Sequence, residues 1–419
     1  MENAMKLCIF ENTTWENFLP LTYTRASFDL RCGVYSFRKR IAKHYPAEEI
    51  SLLVREDIKQ LYQDRYPDFS INQIEKGDTL LVNGLLLYNE MVQHEVDKLD
   101  LGEALFYDDE LISAKIQNNQ ARNIILDDIT NLLSNIKKLK TDIQPIKYIW
   151  QLIHRNPQQL IDDFELFSRD KTNYLIQDGI FHVVNPDKIY LAKDVILEPG
   201  VVLDASDGQI MIDEQAHIMA NSVIKGPVYI GKKSQVNVGA KIYEGTNLGR
   251  LCKVGGEVED TIFQSYSNKQ HDGFLGHSYV GEWVNIGADT NNSNLKNNYQ
   301  SVKVYFYPNN NFKNTEMQFF GCIFGDHTKT GINVTLNTGT VIGVGCNLYS
   351  SLLFSGFIPS FSMGSADRLG DLRLHKMLET AEIVKKRRNL RLSDAERLLL
   401  QKCFDDSSHA RKIFHKVKR

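Results

Sequence analysis

The sequence lacks several things, and each absence closes off a class of protein. Its six cysteines, Cys8, Cys32, Cys252, Cys322, Cys346 and Cys403, are scattered, with no CxxC pair. That spacing excludes a zinc ribbon and gives no disulfide framework, so a reducing cytoplasm is the expected setting. No apolar run approaches the roughly 20 residues that a membrane-spanning helix needs. The N-terminal "MENAMKLCIF" has too short an apolar piece for a secretion signal, and no cleavage site follows. Charge of one sign is not in excess either. The formal net charge is -3, which argues against a molecule built to bind polyanions. No helix-turn-helix or aromatic-interleaved basic pattern points to nucleic acid.

What is present is a period of six. Ile212, Ile218, Ile224, Ile230, Val236, Ile242, Leu248 and Val254 are all aliphatic and evenly spaced. The period resumes at Phe274, Val280 and Ile286, and again at Leu336, Ile342, Leu348 and Phe354. Glycine often follows the aliphatic residue, as in Ile230-Gly231, Leu248-Gly249 and Ile286-Gly287. Six residues fit neither a helix nor a plain hairpin. They fit a β-solenoid with one short strand and one corner per hexad, in which stacked coils bury an apolar column that no single coil could bury. Glycine is expected to relieve crowding at the corner. The period fails across Asn291–Met317, which reads as an inserted loop projecting from the coils.

Residues 1–185 have no such period. "KLCIF", "ISLLV" and "DTLLVNGLLLY" read as strands, and "SFRKRIAKHY" and "TNLLSNIKKLK" as helices. This alternation predicts an α/β domain with a largely parallel sheet. Residues 186–365 hold the solenoid. Residues 366–419 return to helical spacing, with Ser393 and Glu396 forming a capping box. Two helices are expected there. The basic "KKRR" at Lys385–Arg388 reads as a solvated face, or as a seat for a phosphate-bearing ligand.

The stretch "FLPLTYTRASFDLRCGVYSFRKRI" resembles the opening of sugar-1-phosphate nucleotidyltransferases, with Pro20, Leu21, Thr22, Arg25 and Gly33 in matching places. Joined to a hexapeptide solenoid, it resembles a divergent branch of the bifunctional UDP-N-acetylglucosamine pyrophosphorylase/glucosamine-1-phosphate N-acetyltransferases. The resemblance implies a left-handed parallel β-helix, a homotrimer, acetyl-CoA as co-substrate, and sugar phosphate and nucleotide substrates. It also implies Mg2+ in the N-terminal domain and nucleotide contacts at Thr22, Arg25, Arg31, Asn83 and Gly84. This chain departs from the family in the N-terminal half. "ENTTWENF" replaces the glycine-rich loop, Ser27 replaces a lysine, and Leu85 or Leu86 stands where a metal-binding carboxylate is expected. Asp108, Asp109, Asp127 and Asp128 are candidates to replace it.

In the second half, "GHSYVGEWVNIGADTNNSN" aligns Tyr279, Asn285, Ala288 and Asn294 with the family's acetyltransferase element. The family's histidine position falls on Gly276, one residue before His277. Deprotonating a sugar amine for attack on a thioester calls for a base near neutrality, which suits histidine. His277 is the first candidate and His271 the second. Asn285, Asn294 and Asn297 are expected to orient sugar phosphate or pantetheine amides, Tyr279 to touch substrate, Ala288 to line the cofactor path, and Lys269 and Lys303 to contact phosphate. Most of the asparagines in this stretch also suit solenoid corners, where a left-handed backbone is tolerated. Two other readings compete. One is a metal site of the γ-carbonic-anhydrase type using His271, His277 and His327 across an interface. The other is a sugar-nucleotide-binding protein without catalysis.

Overall fold

The computed structural model describes residues 5–124, 129, 133, 135–175 and 180–415. The N-terminal sheet contains β1 (Lys6–Phe10), β2 (Ile50–Leu53), β3 (Ser70–Ile71), β4 (Gly77–Asn83), β5 (Glu103–Tyr107), β6 (Glu110–Asn118) and β7 (Lys137–Lys140), in the order β3-β2-β1-β4-β6-β5-β7. The strands β3, β2, β1 and β4 run parallel, and β6 runs antiparallel to β4 and β5. In β1, Leu7 and Ile9 enter one core while Cys8 and Phe10 enter another. A sheet covered on both faces requires this, and it explains why "KLCIF" is apolar throughout. The helix α1 (Phe37–His44) follows Ser36, α2 (Glu56–Arg65) follows β2, and α3 (Glu90–Asp97) follows β4. The helix expected over Thr130–Lys140 is not found in its described part. Residues 130–132 and 134 lie outside the described residues, and Lys137–Lys140 pairs with β5 as an edge strand.

Beyond α4 (Ile149–Ser168) the chain winds into a three-sided parallel β-helix. Ile212 pairs with Ile230 and Ile230 with Leu248, so one coil takes eighteen residues, or three hexads. The inward residues form one continuous buried cluster. Two details differ from the sequence reading. Leu275, not Phe274, faces inward, because Leu275 is in register with Val258. The glycines that follow the aliphatic residues are required by the neighbouring coil rather than by the bend. A Cβ on Gly249 would lie 1.3 Å from the Gln264 carbonyl oxygen.

The insertion is also not a free projection. Lys303–Phe306 and Asn311–Asn314 form an antiparallel hairpin. Its Phe306 packs edge-on against Tyr148 and Trp150 at the start of α4. Its Tyr305 stacks on Phe357 at 3.8 Å and meets Phe414 edge-on. Aromatic area turned a loop into a bridge between the N-terminal domain, the coils and the C-terminus. That terminus holds three helices rather than two: α5 (Leu374–Lys386), α6 (Asp394–Asp406) and α7 (Ser408–Phe414). The capping box of Ser393 and Glu396 is present. Lys385, from the basic run, is buried, bonded to Glu396 and placed over the Trp283 ring, so it is structural.

The domains are joined by buried polar contacts. Arg25 Nη2 lies 2.5 Å from Asp326 Oδ2, with the side chains 3% and 4% exposed. Thr24 Oγ1 donates to the same oxygen at 2.6 Å, and the Glu282 backbone N–H donates to Asp326 Oδ1 at 2.8 Å. The Tyr279 hydroxyl accepts from the Arg31 N–H and donates to the Arg31 carbonyl. On α4, Asn156 accepts from the Gly33 N–H and donates to the Gly245 carbonyl, so it touches both domains. Removing one partner of a buried ion pair strands the other. Asp326→Ala is therefore expected to cost about 3–5 kcal/mol in chemical denaturation, and a loss under about 1 kcal/mol would contradict this account of the interface.

Candidate functional site

The two candidate histidines occupy different chemical settings. His277 sits at a coil corner with φ 48, and its side chain is 14% exposed. Its Nε2 is 3.4 Å from Asp260 Oδ2, its Nδ1 is 3.7 Å from Glu259 Oε1, and Asn294 Nδ2 is 3.0 Å from Nδ1. Phe319 stacks on the ring at 5.3 Å. Burial pushes the imidazole down to about 4. Burial first, and then repulsion from Glu259 and Glu244, pushes the Asp260 carboxyl up to about 7. At neutral pH the imidazole is thus neutral and Asp260 is partly protonated. The ligand atoms of Glu259, Asp260 and His277 lie within 4.8 Å of one another, a donor set able to hold a divalent cation.

His271 is exposed on the turn that follows Asn268–Lys269. It lines an open groove of about 360 Å³ with Gln235, Asn237, Val238 and Gln270. Amide side chains and one exposed carboxylate, Asp272, line this groove, whereas Glu244, Glu259 and Asp260 crowd His277. His327 is elsewhere again, buried and stacked over Trp283 at 6.2 Å, and burial pushes its imidazole down to about 3. Among the described residues the only grouping of three or more metal-ligating side chains contains His277 alone of these histidines, so the three-histidine metal site is not favoured.

The asparagines have an answer of their own. None of Asn285, Asn291, Asn292, Asn294, Asn297 and Asn298 has a positive φ, and the corners are taken by His277, Trp283 and Asp289. Asn291 and Asn292 are strand residues whose side chains replace a backbone ladder. Their Oδ1 atoms accept from the N–H groups of Phe274 and Gly276, each at 2.8 Å. Asn294 touches His277. Asn285 and Asn297 are exposed, Ala288 is half-buried, and Lys303 is exposed on the hairpin.

Several expected contacts are corrected. Tyr279 is fully buried against the Arg31 peptide and cannot reach a substrate. Lys269 is 1% exposed and bonds backbone carbonyls, so it is no phosphate contact. Arg25 is held by Asp326. Arg31 bonds the Val34 carbonyl and lies over the Tyr229 ring. Thr22 is buried and donates to the Trp15 carbonyl. Gly84 packs under Phe28, where a Cβ would come within 2.7 Å. The motif that resembles a nucleotide loop therefore faces the β-helix. Its glycine-free turn is filled internally, with Glu11 accepting from Ser27 and Arg55.

Asn83 ends its strand at the carboxyl edge of the sheet, where open α/β sheets bind ligands, but it is fully buried, its amide donating to the Leu111 carbonyl at 2.9 Å and accepting from the Leu85 N–H, so it is closed to a nucleotide as well. Beside it is a residue the sequence reading missed. Glu110 Oε1 accepts from Asn12 at 2.8 Å and lies 3.5 Å from Asn83 Nδ2, and Lys147 Nζ is 3.7 Å from Oε2. Burial raises the Glu110 carboxyl. Asp108 and Asp109 are exposed in the turn just before it, and Asp127 and Asp128 lie outside the described residues. Glu110 thus brings a partly buried carboxylate to the strand end that lacks one. It could hold Mg2+ together with substrate phosphates, which is how Mg2+ is usually bound.

An α/β sheet domain is thus fused to a hexapeptide-repeat β-helix. Comparison with known proteins agrees. A family described as sugar nucleotidyl transferase matches residues 7–172. The bifunctional protein GlmU of Bartonella quintana is 25% identical over 59% of this chain and 52% of its own length. A bifunctional sugar-1-phosphate nucleotidylyltransferase/acetyltransferase of Sulfurisphaera tokodaii is 24% identical over 82% of this chain and 96% of its own. GlmU of Methanocaldococcus jannaschii is 28% identical over 67% and 73%. Matches to the two Bartonella relatives span about half of their length or less. An Arabidopsis UDP-N-acetylglucosamine acyltransferase covers 57% of this chain at 12% identity with a TM-score of 0.23, too low to carry an argument. The chain is thus similar in its N-terminal part to sugar nucleotidyl transferases and along most of its length to bifunctional nucleotidylyltransferase/acetyltransferase proteins.

The Asp260 shift has a testable sign. A carboxyl whose pKa is raised on folding binds its proton more tightly in the native state. Stability is then lost as pH rises from about 4 through about 7. Asp260→Asn is expected to be more stable than the parent at pH 8 and equal to it below pH 4. Parallel melting curves across that range would contradict the burial of this group.

Proposed function

We propose that the chain transfers acetyl from acetyl-CoA to the amine of a hexosamine 1-phosphate at the groove beside His271, and that its N-terminal domain joins a nucleotide to a sugar 1-phosphate. The observation that carries this is the contrast between the two histidines. Both the sugar phosphate and coenzyme A are anionic. Glu244, Glu259 and Asp260 around His277 would repel them more strongly than the groove at His271, whose lining has three amide side chains and the single carboxylate Asp272. His271 takes a proton from the sugar amine, the nitrogen attacks the acetyl carbonyl, the C–S bond breaks, and the thiolate leaves to be protonated. Backbone N–H groups at the coil turn are suited to the oxyanion. Asn285, Asn297 and Lys303 are exposed and free to meet substrate, and Ala288 can line the cofactor path. The donor set at His277 makes it the second candidate base.

In the N-terminal domain, Glu110 and Asn12 are the proposed nucleotide-side residues, with Asn83 behind them holding the strand end. Metal chemistry supplied there would be charge neutralisation at the phosphates. The engagement of Arg25 and Arg31 at the interface favours a second reading for this half alone, a non-catalytic binding role. We further propose a cytoplasmic homotrimer. No helix among the described residues is long and apolar enough to cross a membrane. Val238, Ile332 and Leu353 are 60%, 71% and 55% exposed on the coils, and Val238 lines the His271 groove. A second copy would cover such surface and complete the site.

Thiol release from acetyl-CoA with glucosamine 1-phosphate tests the first half. His271→Ala is expected to lower kcat by about 10²–10⁴-fold and His277→Ala by far less, and the reverse ranking would move the base to His277. Sugar-nucleotide formation with Mg2+ tests the second half. Glu110→Gln is expected to reduce it by about 10²-fold or more, while leaving acetyl transfer unchanged. Light scattering is expected to give about three times the 48.0 kDa chain mass, and a monomer would end the interface-site reading.

A further inference from the structure

The inward column on one face of the β-helix reads Leu197, Ile218, Val236, Val254 and then Lys269, each in register with the next. A bridge between Asn268 and Asn285 places Ile286 above it. A lysine thus occupies an interior position that aliphatic residues fill on either side. Its side chain is among the largest fully buried ones in the chain. The ammonium donates to the Gly255 carbonyl at 3.0 Å and to the His271 carbonyl at 2.9 Å. Burying a cation is costly unless its donors are used, and here two of three meet backbone oxygens.

The surroundings are shaped to that ammonium. A Cβ on Gly256 would lie 2.8 Å from Lys269 Nζ, so the glycine leaves room for it. The coil from Val254 to Lys269 takes fifteen residues instead of eighteen, and the turn after Lys269 closes with Gly273 at φ 116. Asp272 and Asp289 favour the charged ammonium, although burial lowers its pKa to about 8. The turn held in this way, residues 270–273, is the one that carries His271.

We propose that Lys269 is a positioning residue for His271: its buried ammonium ties the turn at Gly255 and His271 to the coil interior and so fixes the imidazole over the groove. The inference rests on the reading of His271 as the base. A base held within a fraction of an ångström is worth far more than one on a mobile turn. Lys269 does not touch substrate and acts only through the backbone of its neighbour.

The test compares Lys269→Met, Lys269→Gln and His271→Ala in the full chain. Methionine suits the aliphatic column, so Lys269→Met is expected to fold with a melting temperature at or above that of the parent. Its kcat for acetyl transfer is expected to fall about 10- to 100-fold with KM within about twofold, and the His271 ring resonance in NMR is expected to shift or broaden. Parental kcat and an unchanged resonance in Lys269→Met would overturn the proposal while leaving His271→Ala to judge the base on its own. If His271→Ala keeps the parental rate, the underlying reading fails instead, and the His271 resonance in Lys269→Met still reports whether the brace exists. Failure of both Lys269 variants to fold would make Lys269 a purely structural residue and would also overturn the proposal.

Discussion

The buried pair of Arg25 and Asp326 organises this molecule. Arg25 lies in the segment that resembles a nucleotide loop, and Asp326 lies on a coil formed after the inserted hairpin. Their contact forces the segment to face the β-helix instead of the crevice of its own sheet. Other features follow from this. Tyr279 pins the Arg31 peptide, Asn156 joins Gly33 to Gly245, and α6 packs back onto α2 and the turn at Leu21–Thr24. The interface also accounts for residues that differ from the expected motif. A loop welded to a neighbouring domain has no use for the glycines that would wrap a phosphate.

The same constraint separates what was legible in the sequence from what was not. The period of six reported the β-helix because each aliphatic residue answers to the same interior, coil after coil. The capping box at Ser393 and the strands "KLCIF" and "ISLLV" were legible because their signals are local. The site residues were harder. Whether Arg25 meets a phosphate or a carboxylate depends on Asp326, some three hundred positions away. Lys269 reads as a surface cation until its register with Val254 is known. Glu110 escaped notice because the missing carboxylate was sought on the strand after Asn83, while space supplied it from the antiparallel neighbour. The asparagines were read as corner residues because Asn tolerates left-handed backbone. In fact histidine, tryptophan and aspartate took those corners, and Asn291 and Asn292 lend their amides to a strand.

Two histidines six residues apart thus have different surroundings, since one hexad moves the chain to the next face of the prism. His277 faces an acidic corner, and His271 an open, amide-lined groove. Sequence spacing alone could not have separated them.

The Arg25 contact also has a consequence in time. Its two partners are 301 residues apart in the chain. At roughly 5–20 residues per second, a ribosome needs on the order of 15–60 s to travel from one to the other. Once Lys140 has been made, the N-terminal sheet is complete in its own strands for the rest of that interval, yet its Arg25 surface still faces solvent. The helix α6 that packs against this surface is made later still. Newborn chains of this protein therefore pass through a long stage with one finished domain and an uncovered docking face, and a chaperone that shields such faces would find its substrate there.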